Sequence, residues 1–250
     1  MLQPSTARSA IHYENDPDFF RAFLDPYLKY GSGYFDGADS FEAAARRMLD
    51  RTLAHALIPE EGTVLDVGSG WGSLLRRLRE TLPGRRYHHI NPSGRQRAHI
   101  EEHLGEVEAV FPTTAEAAPL SANTYDAIFL NDSFCHLGDR PGVLRRLCQA
   151  LRPGGRIVLQ DTFFLTEQLF QSHCRARTTR FVQDDIFGFA EIPSYEVFAR
   201  EVAQAGLRIE RQEDISPHYL RTVAARIAGL QRLDPLRYPL RDRCLRYLRF

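Results

Sequence analysis

Apolar residues along the chain follow two alternating spacings. Short runs of β-branched and aliphatic residues at Thr63–Val67, Arg86–Ile90, 107–111, Tyr125–Asn131, 156–161 and 207–212 predict strands. Between the first two, Leu74, Leu75, Leu78 and Leu82 recur at helical spacing, with Arg76, Arg77 and Arg79 on the opposite face. Comparable periodicity predicts helices over 72–82, 93–104, 142–151 and 194–205. Ahead of the first strand it predicts two more, over 17–28 and 41–57, with Ser40 capping the second. Arg152-Pro153-Gly154-Gly155 predicts a turn leading into the fifth strand. Strand and helix in regular alternation imply an α/β fold, a doubly wound and mostly parallel sheet. No internal repeat or low-complexity linker interrupts it.

The first strand runs directly into Val64-Leu65-Asp66-Val67-Gly68-Ser69-Gly70-Trp71-Gly72. A strand-to-helix crossover of this kind is where open α/β sheets bind ligands, beyond the strand's carboxyl end. The glycines remove side chains where the backbone turns tightly and a ligand approaches. The spacing is G-x-G-x-G, whereas the dinucleotide fingerprint is G-x-G-x-x-G with an acid about 20 residues on. The corresponding stretch here, 88–93, contains no acid. The segment resembles the first motif of class I S-adenosylmethionine (SAM) methyltransferases, which implies a Rossmann-like fold and SAM as cofactor. Asp66, Gly68, Ser69, Gly70 and Gly72, with Asn131 at the end of the fourth strand, are the cofactor contacts expected on that basis.

Composition leaves this picture standing. A chain of 250 residues fills one α/β domain, and a formal net charge of zero gives no reason to expect nucleic acid or an anionic membrane as partner. Arginines abound while Lys29 is the only lysine, a bias that reads as base composition of the gene. Cys135, Cys148, Cys174 and Cys244 are dispersed without metal-binding spacing, so no metal is expected and a reducing cytoplasm suits them. No secretory signal and no run of membrane-spanning length is visible.

A narrower resemblance extends over nearly the whole chain. His12-Tyr13, Asp18-Phe19-Phe20, Phe23-Leu24-Asp25, Tyr30-Gly31-Ser32-Gly33-Tyr34-Phe35, Phe134-x-His136-x-Gly138, Ile192-Pro193-Ser194 and Pro217-His218-Tyr219-x-Arg221-Thr222 resemble the cyclopropane fatty acid synthases and the related mycolic acid methyltransferases. The resemblance implies an amino-terminal helical cap over 1–57, a SAM-binding core over 58–250, and an insertion at about 162–193 covering the acceptor pocket. It assigns ribose contacts to Asn91 and Gln96; Gln96 is equally explained as a helix-start capping box with Ser93. The adenine contacts fall near Thr114 and Ala115. At the carboxyl end, 240–250 resembles the helix preceding the family's last strand. The expectation there is six central strands, or a seventh place filled by a partner chain such as a homodimer mate.

Methyl transfer chiefly requires that acceptor and methyl be held in line and water excluded. In the family the resemblance points to, a bicarbonate takes the final proton, held by a cysteine, a glutamate, a histidine and a tyrosine. Those positions are here Ser32, Cys135, Gln160 and Tyr219, so only the tyrosine is kept. The expectation is therefore a methyltransferase acting on a small apolar or aromatic specialised metabolite, at carbon, nitrogen or oxygen. The alternatives are a fatty acyl methyltransferase or cyclopropane synthase and, in a different class, a SAM-binding protein or cyclase that transfers no methyl. His136 is the expected base, because a neutral imidazole accepts a proton at physiological pH; a helix-start histidine bonded to backbone is the plainer reading. Tyr219 and His218 are further candidates, and Tyr13, Tyr30 and Tyr34, with Phe164, Phe187 and Phe189, are expected around the acceptor.

Overall fold

The computed structural model describes residues 17–105, 107–186 and 191–249. Five strands, β1 (Thr63–Val67), β2 (Arg86–Ile90), β3 (Ala109–Phe111), β4 (Tyr125–Asn131) and β5 (Leu151–Gln160), pair in parallel in the order β3-β2-β1-β4-β5. The chain starts in the middle of the sheet, winds one way to β3, and returns to the other side of β1 for β4. The carboxyl ends of β1 and β4 thus flank the switch point where such sheets bind ligands.

All five residues of β1 are buried, as a strand covered on both faces requires. Its alternation sends Leu65 and Val67 to one side of the sheet and Val64 to the other. On the first side they pack with Ile128, Leu130 and the apolar stripes of helices α5 (Arg140–Ala150) and α8 (Tyr195–Gln204). On the second, Val64, Ala127 and Phe129 meet α2 (Phe41–Ala56), α3 (Ser73–Thr81) and α4 (Gly94–Leu104). Ser40, Ser93 and Ser194 each cap their helix by accepting a backbone N–H three residues on. A third cluster joins Phe19, Phe20, Trp71, Leu230 and Leu245, so that α1 (Pro17–Arg21), α9 (Ser216–Gln231) and α10 (Arg241–Leu248) pack around the tryptophan of the glycine turn. The span 162–193 carries α6 (Glu167–His173), α7 (Arg177–Arg180) and a π-helical turn, Phe181–Ile186.

Four sequence expectations need correction. The helix expected over 17–28 stops at Arg21. Asp25 precedes Pro26, which disfavours helical backbone, and its carboxylate accepts the Tyr27 N–H at 2.8 Å to make a turn instead. The third strand begins at Ala109, because the Glu108 carboxylate takes the Tyr87 N–H at 2.9 Å. The 152–155 turn lies inside β5: the ladder pairs Tyr125 with Leu151 and resumes at Ala127 with Arg156, with Gly154 at φ +82°. The strand expected over 207–212 does not form. That segment is held by side chains such as Glu210 on Arg156 at 3.2 Å and Glu213 on Arg51 at 2.8 Å rather than by a ladder. The sheet described therefore has five strands rather than six.

Candidate active site

One pocket opens over the carboxyl ends of β1, β2 and β4 and encloses about 1120 Å³ not filled by protein, part of it open to solvent. Its floor is the turn after β1. Gly68 has φ +76°, and a Cβ there would stand 2.6 Å from the Ser133 Cβ, so the turns after β1 and β4 meet only because residue 68 has no side chain. The Ser133 hydroxyl donates to the Val67 carbonyl at 2.6 Å and ties the two together. Gly70, at φ +53°, has no atom within 4 Å of where a Cβ would be; it faces the open pocket. Gly72, which does not line the pocket, is the N-cap of α3 and packs against Ile100.

Asn91 holds this turn from the side. Its amide donates to the Gly70 carbonyl at 3.0 Å and to the Ser69 hydroxyl at 3.2 Å, while its carbonyl oxygen accepts the Ser93 N–H at 3.0 Å. The backbone donor that a capping box would give to Gln96 is thereby taken, and the Gln96 Nε2 is buried without a partner. The Asp66 Oδ2 and both side-chain polar atoms of Asn131 are likewise buried, and like the Gln96 Nε2 they have no partner among the described residues. Burial alone raises the Asp66 carboxyl to about 7. All three residues line the pocket, as do Ser69, Thr114, Ala115 and His136. An unmet buried polar group costs about 1–3 kcal/mol, so acceptors and donors left open in one pocket fit a ligand carrying hydroxyl and amino groups, as a nucleoside joined to an amino acid does.

Tyr30 apart, the remaining expected residues stand outside the pocket's lining. His218 accepts the Phe35 N–H on Nδ1 at 3.2 Å and stacks on Tyr34, whose ring also carries the Arg51 guanidinium. The Tyr219 hydroxyl lies 3.4 Å from that of Tyr247. Ser32 is buried and donates to the Gly33 carbonyl at 2.7 Å. Cys135 and Gln160 lie behind the end of β4, and burial pushes the Cys135 thiol well up. Phe164 pairs with Ser194 and stacks near Phe170 and His173. Tyr13, Phe187 and Phe189 lie outside the described residues.

Tyr30, expected around the acceptor, does line the pocket and forms an aromatic side with Trp71. Lys29 and Asp132, which the sequence reading gave no role in the site, also line it and face each other at 3.9 Å, Nζ to Oδ2. Lys29 is 3% exposed, and its being the only lysine was the signal. Burial lowers its affinity for a proton, opposed by Asp132 and Asp25. No group of side chains suited to a metal occurs among the described residues, and none of their helices is long and apolar enough to cross a membrane.

The family model described as mycolic acid cyclopropane synthetase matches residues 2–234. Cyclopropane mycolic acid synthase MmaA2 of Mycobacterium tuberculosis is 28% identical, over 92% of this chain and 84% of its own length. The solved structure of MmaA2 from the same organism superposes with a TM-score of 0.88, at 26% identity, covering 99% of this chain and 92% of that one. That of mycolic acid cyclopropane synthase CmaA1, complexed with S-adenosylhomocysteine (SAH) and CTAB, reaches 0.86 at 24% identity, covering 99% and 92%, and speaks for the fold.

Proposed function

The chain belongs to the mycolic acid cyclopropane synthetase family and is a SAM-dependent methyltransferase, and from that premise we propose that it methylates an unsaturated carbon of an acyl-chain acceptor. The observation that carries this reading is the match to cyclopropane mycolic acid synthases along almost the whole chain, the segments outside the cofactor turn included. It favours a lipid over the small metabolite that the residues alone led us to expect.

In this reading the backbone of Gly68 and Gly70 leaves room for the cofactor, and Asp66, Gln96 and Asn131 supply the polar contacts that they otherwise lack. Thr114 and Ala115 border its adenine. Bound there, SAM supplies an electrophilic methyl carbon on a sulfonium. Tyr30 and Trp71 offer π-faces to that cation and keep water from it. His136 and Asp132 are lining groups able to accept a proton, as are Asp66 and Glu116. Tyr219 and His218 act from behind the wall by steadying Tyr247, Tyr34 and Phe35.

A small-metabolite acceptor remains the second reading, on one observation: Cys135 and Gln160 stand where a bicarbonate would need a glutamate and a histidine. The experiment is incubation with isotopically methyl-labelled SAM and vesicles of dioleoyl phosphatidylglycerol, followed by mass spectrometry of the released fatty acids. The expected result is label in a chain heavier by one CH2. Unlabelled chains under conditions where SAH binds would turn the assignment to the small metabolite.

A further inference from the structure

On the acyl reading just given, we propose that Asp132 is the proton acceptor of the reaction, an internal carboxylate that makes an external one unnecessary. Asp132 follows β4 directly and sits at φ +54°, a left-handed conformation that takes it out of the strand's alternation at the pocket wall. Its two oxygens have different surroundings. Oδ2 is anchored: the Gln160 amide donates to it at 3.4 Å, the Lys29 ammonium is 3.9 Å away, and a Cβ on residue 31 would come within 1.8 Å of it. Gly31 is therefore the absence that makes room for the carboxylate. Oδ1 accepts no hydrogen bond among the described residues, and the 22% of the side chain that stays exposed opens on the pocket.

The positions expected around the acceptor meet at this group. Gln160 bonds to it, Ser32 adjoins Gly31, Cys135 lies within its field, and Tyr247, the partner of Tyr219, feels its charge. Asp161 stands behind, accepting the Phe134 and Cys135 N–H groups, and is raised to about 7 by burial and then by the charge of Asp132. Burial also raises Asp132, but Lys29 and Arg226 oppose the rise. Lys29 and Arg226 thus favour the ionised form of Asp132.

The step balances without a further reactant. The alkene electron pair forms a bond to the methyl carbon of SAM, the carbon–sulfur bond breaks, SAH leaves, and a carbocation remains on the other alkene carbon. A C–H bond of the transferred methyl then breaks and its electron pair closes a three-membered ring, or a C–H bond on the chain carbon next to the cation breaks and its pair forms a double bond; in either case the proton passes to Asp132, which later releases it to water.

Two variants test this. Asp132→Gly relaxes a left-handed residue and leaves a carboxylate-sized hole between Lys29, Gln160 and Gly31; Asp132→Asn keeps the shape and removes the base. With SAH binding retained by calorimetry, transfer to dioleoyl phosphatidylglycerol vesicles should fall by about 10²–10⁴-fold in either. Added formate should restore a substantial part in Asp132→Gly alone, and wild-type turnover should not respond to bicarbonate. Turnover of Asp132→Asn within about threefold of wild type overturns the proposal, as does an Asp132→Gly protein that binds SAH and is not rescued. If wild type leaves the vesicles unmethylated, the acyl reading falls and a second measurement decides on Asp132. ¹³C-formate should titrate into Asp132→Gly saturably and not into wild type, and equal behaviour of the two proteins refutes the assignment.

Discussion

The wall of the pocket that follows β1 and the wall that follows β4 are made of different material. After β1 the shape is backbone: positive-φ glycines, a tethering Asn91, and the unpartnered carboxylate of Asp66. After β4 and across from it the shape is charge: Asp132 and Lys29, with Asp161, Gln160 and Cys135 behind. In the reading proposed above, the first wall meets a cofactor common to a whole superfamily, which would constrain its geometry atom by atom. The second would meet the acceptor, where compensating substitutions can rebuild a wall. A buried carboxylate next to a cation is tolerated only as a set, since each charge offsets the desolvation of the other.

The comparison breaks most sharply at Gly70. Gly70→Val puts a β-branched side chain into left-handed backbone and into the open floor, and SAH affinity should drop by more than about 100-fold. Calorimetry showing unaltered affinity would mean that the floor is not where the cofactor lies. On the other wall, Lys29→Met takes from Asp132 and Asp25 the stronger of their two nearby cations and leaves them Arg226 alone. The expected loss is about 3 kcal/mol of unfolding free energy in urea; a loss below about 1 kcal/mol would show that the pair is not energetically coupled.

Titration separates the walls next. The Asp66 carboxyl, near 3.9 unfolded, is raised to about 7 in the fold. Between those values the folded protein holds a proton that the unfolded chain has lost, so stability is present at low pH and falls as pH rises toward and through 7. Asp66→Asn removes that loss. Relative to wild type, the unliganded variant should gain about 2.5 kcal/mol between pH 5 and pH 8, read from unfolding curves at each pH. A pH-independent difference would place the Asp66 carboxyl near its ordinary value.

How far each wall was legible follows from the same contrast. Gly68, Ser69 and Gly70 could be placed in the pocket lining because local spacing along the chain sets the turn after β1, and the helix caps at Ser40 and Ser93 were legible in the same way. Asp132 and Lys29 could not, because their pairing joins residues 103 positions apart. Only the solitary status of Lys29 hinted at it, and that was put down to composition. The strand expected over 207–212 failed for a related reason: its alternation is real, but Arg156 engages Glu210, Arg51 engages Glu213 just beyond the segment, and no ladder forms among the described residues. The smallest expected effect lies there. Ile209, 40% exposed, should tolerate Ile209→Ser within about 0.5 kcal/mol, whereas a greater loss would reveal an apolar contact that a half-exposed coil does not account for.

Lys29 also makes the protein unusually easy to interrogate. With one lysine in 250 residues, a lysine-specific protease has a single peptide bond to cut, between Lys29 and Tyr30, and that stretch is closed, with the lysine 3% exposed. Cleavage must wait for the charged wall to open locally, so when closing outpaces cutting its rate measures the free energy of that opening. A ligand bound in the pocket should slow it in proportion to its occupancy of the closed form. An amine-directed isotope label would put its one side-chain signal at the same place, a reporter in the pocket lining that needs no engineered residue.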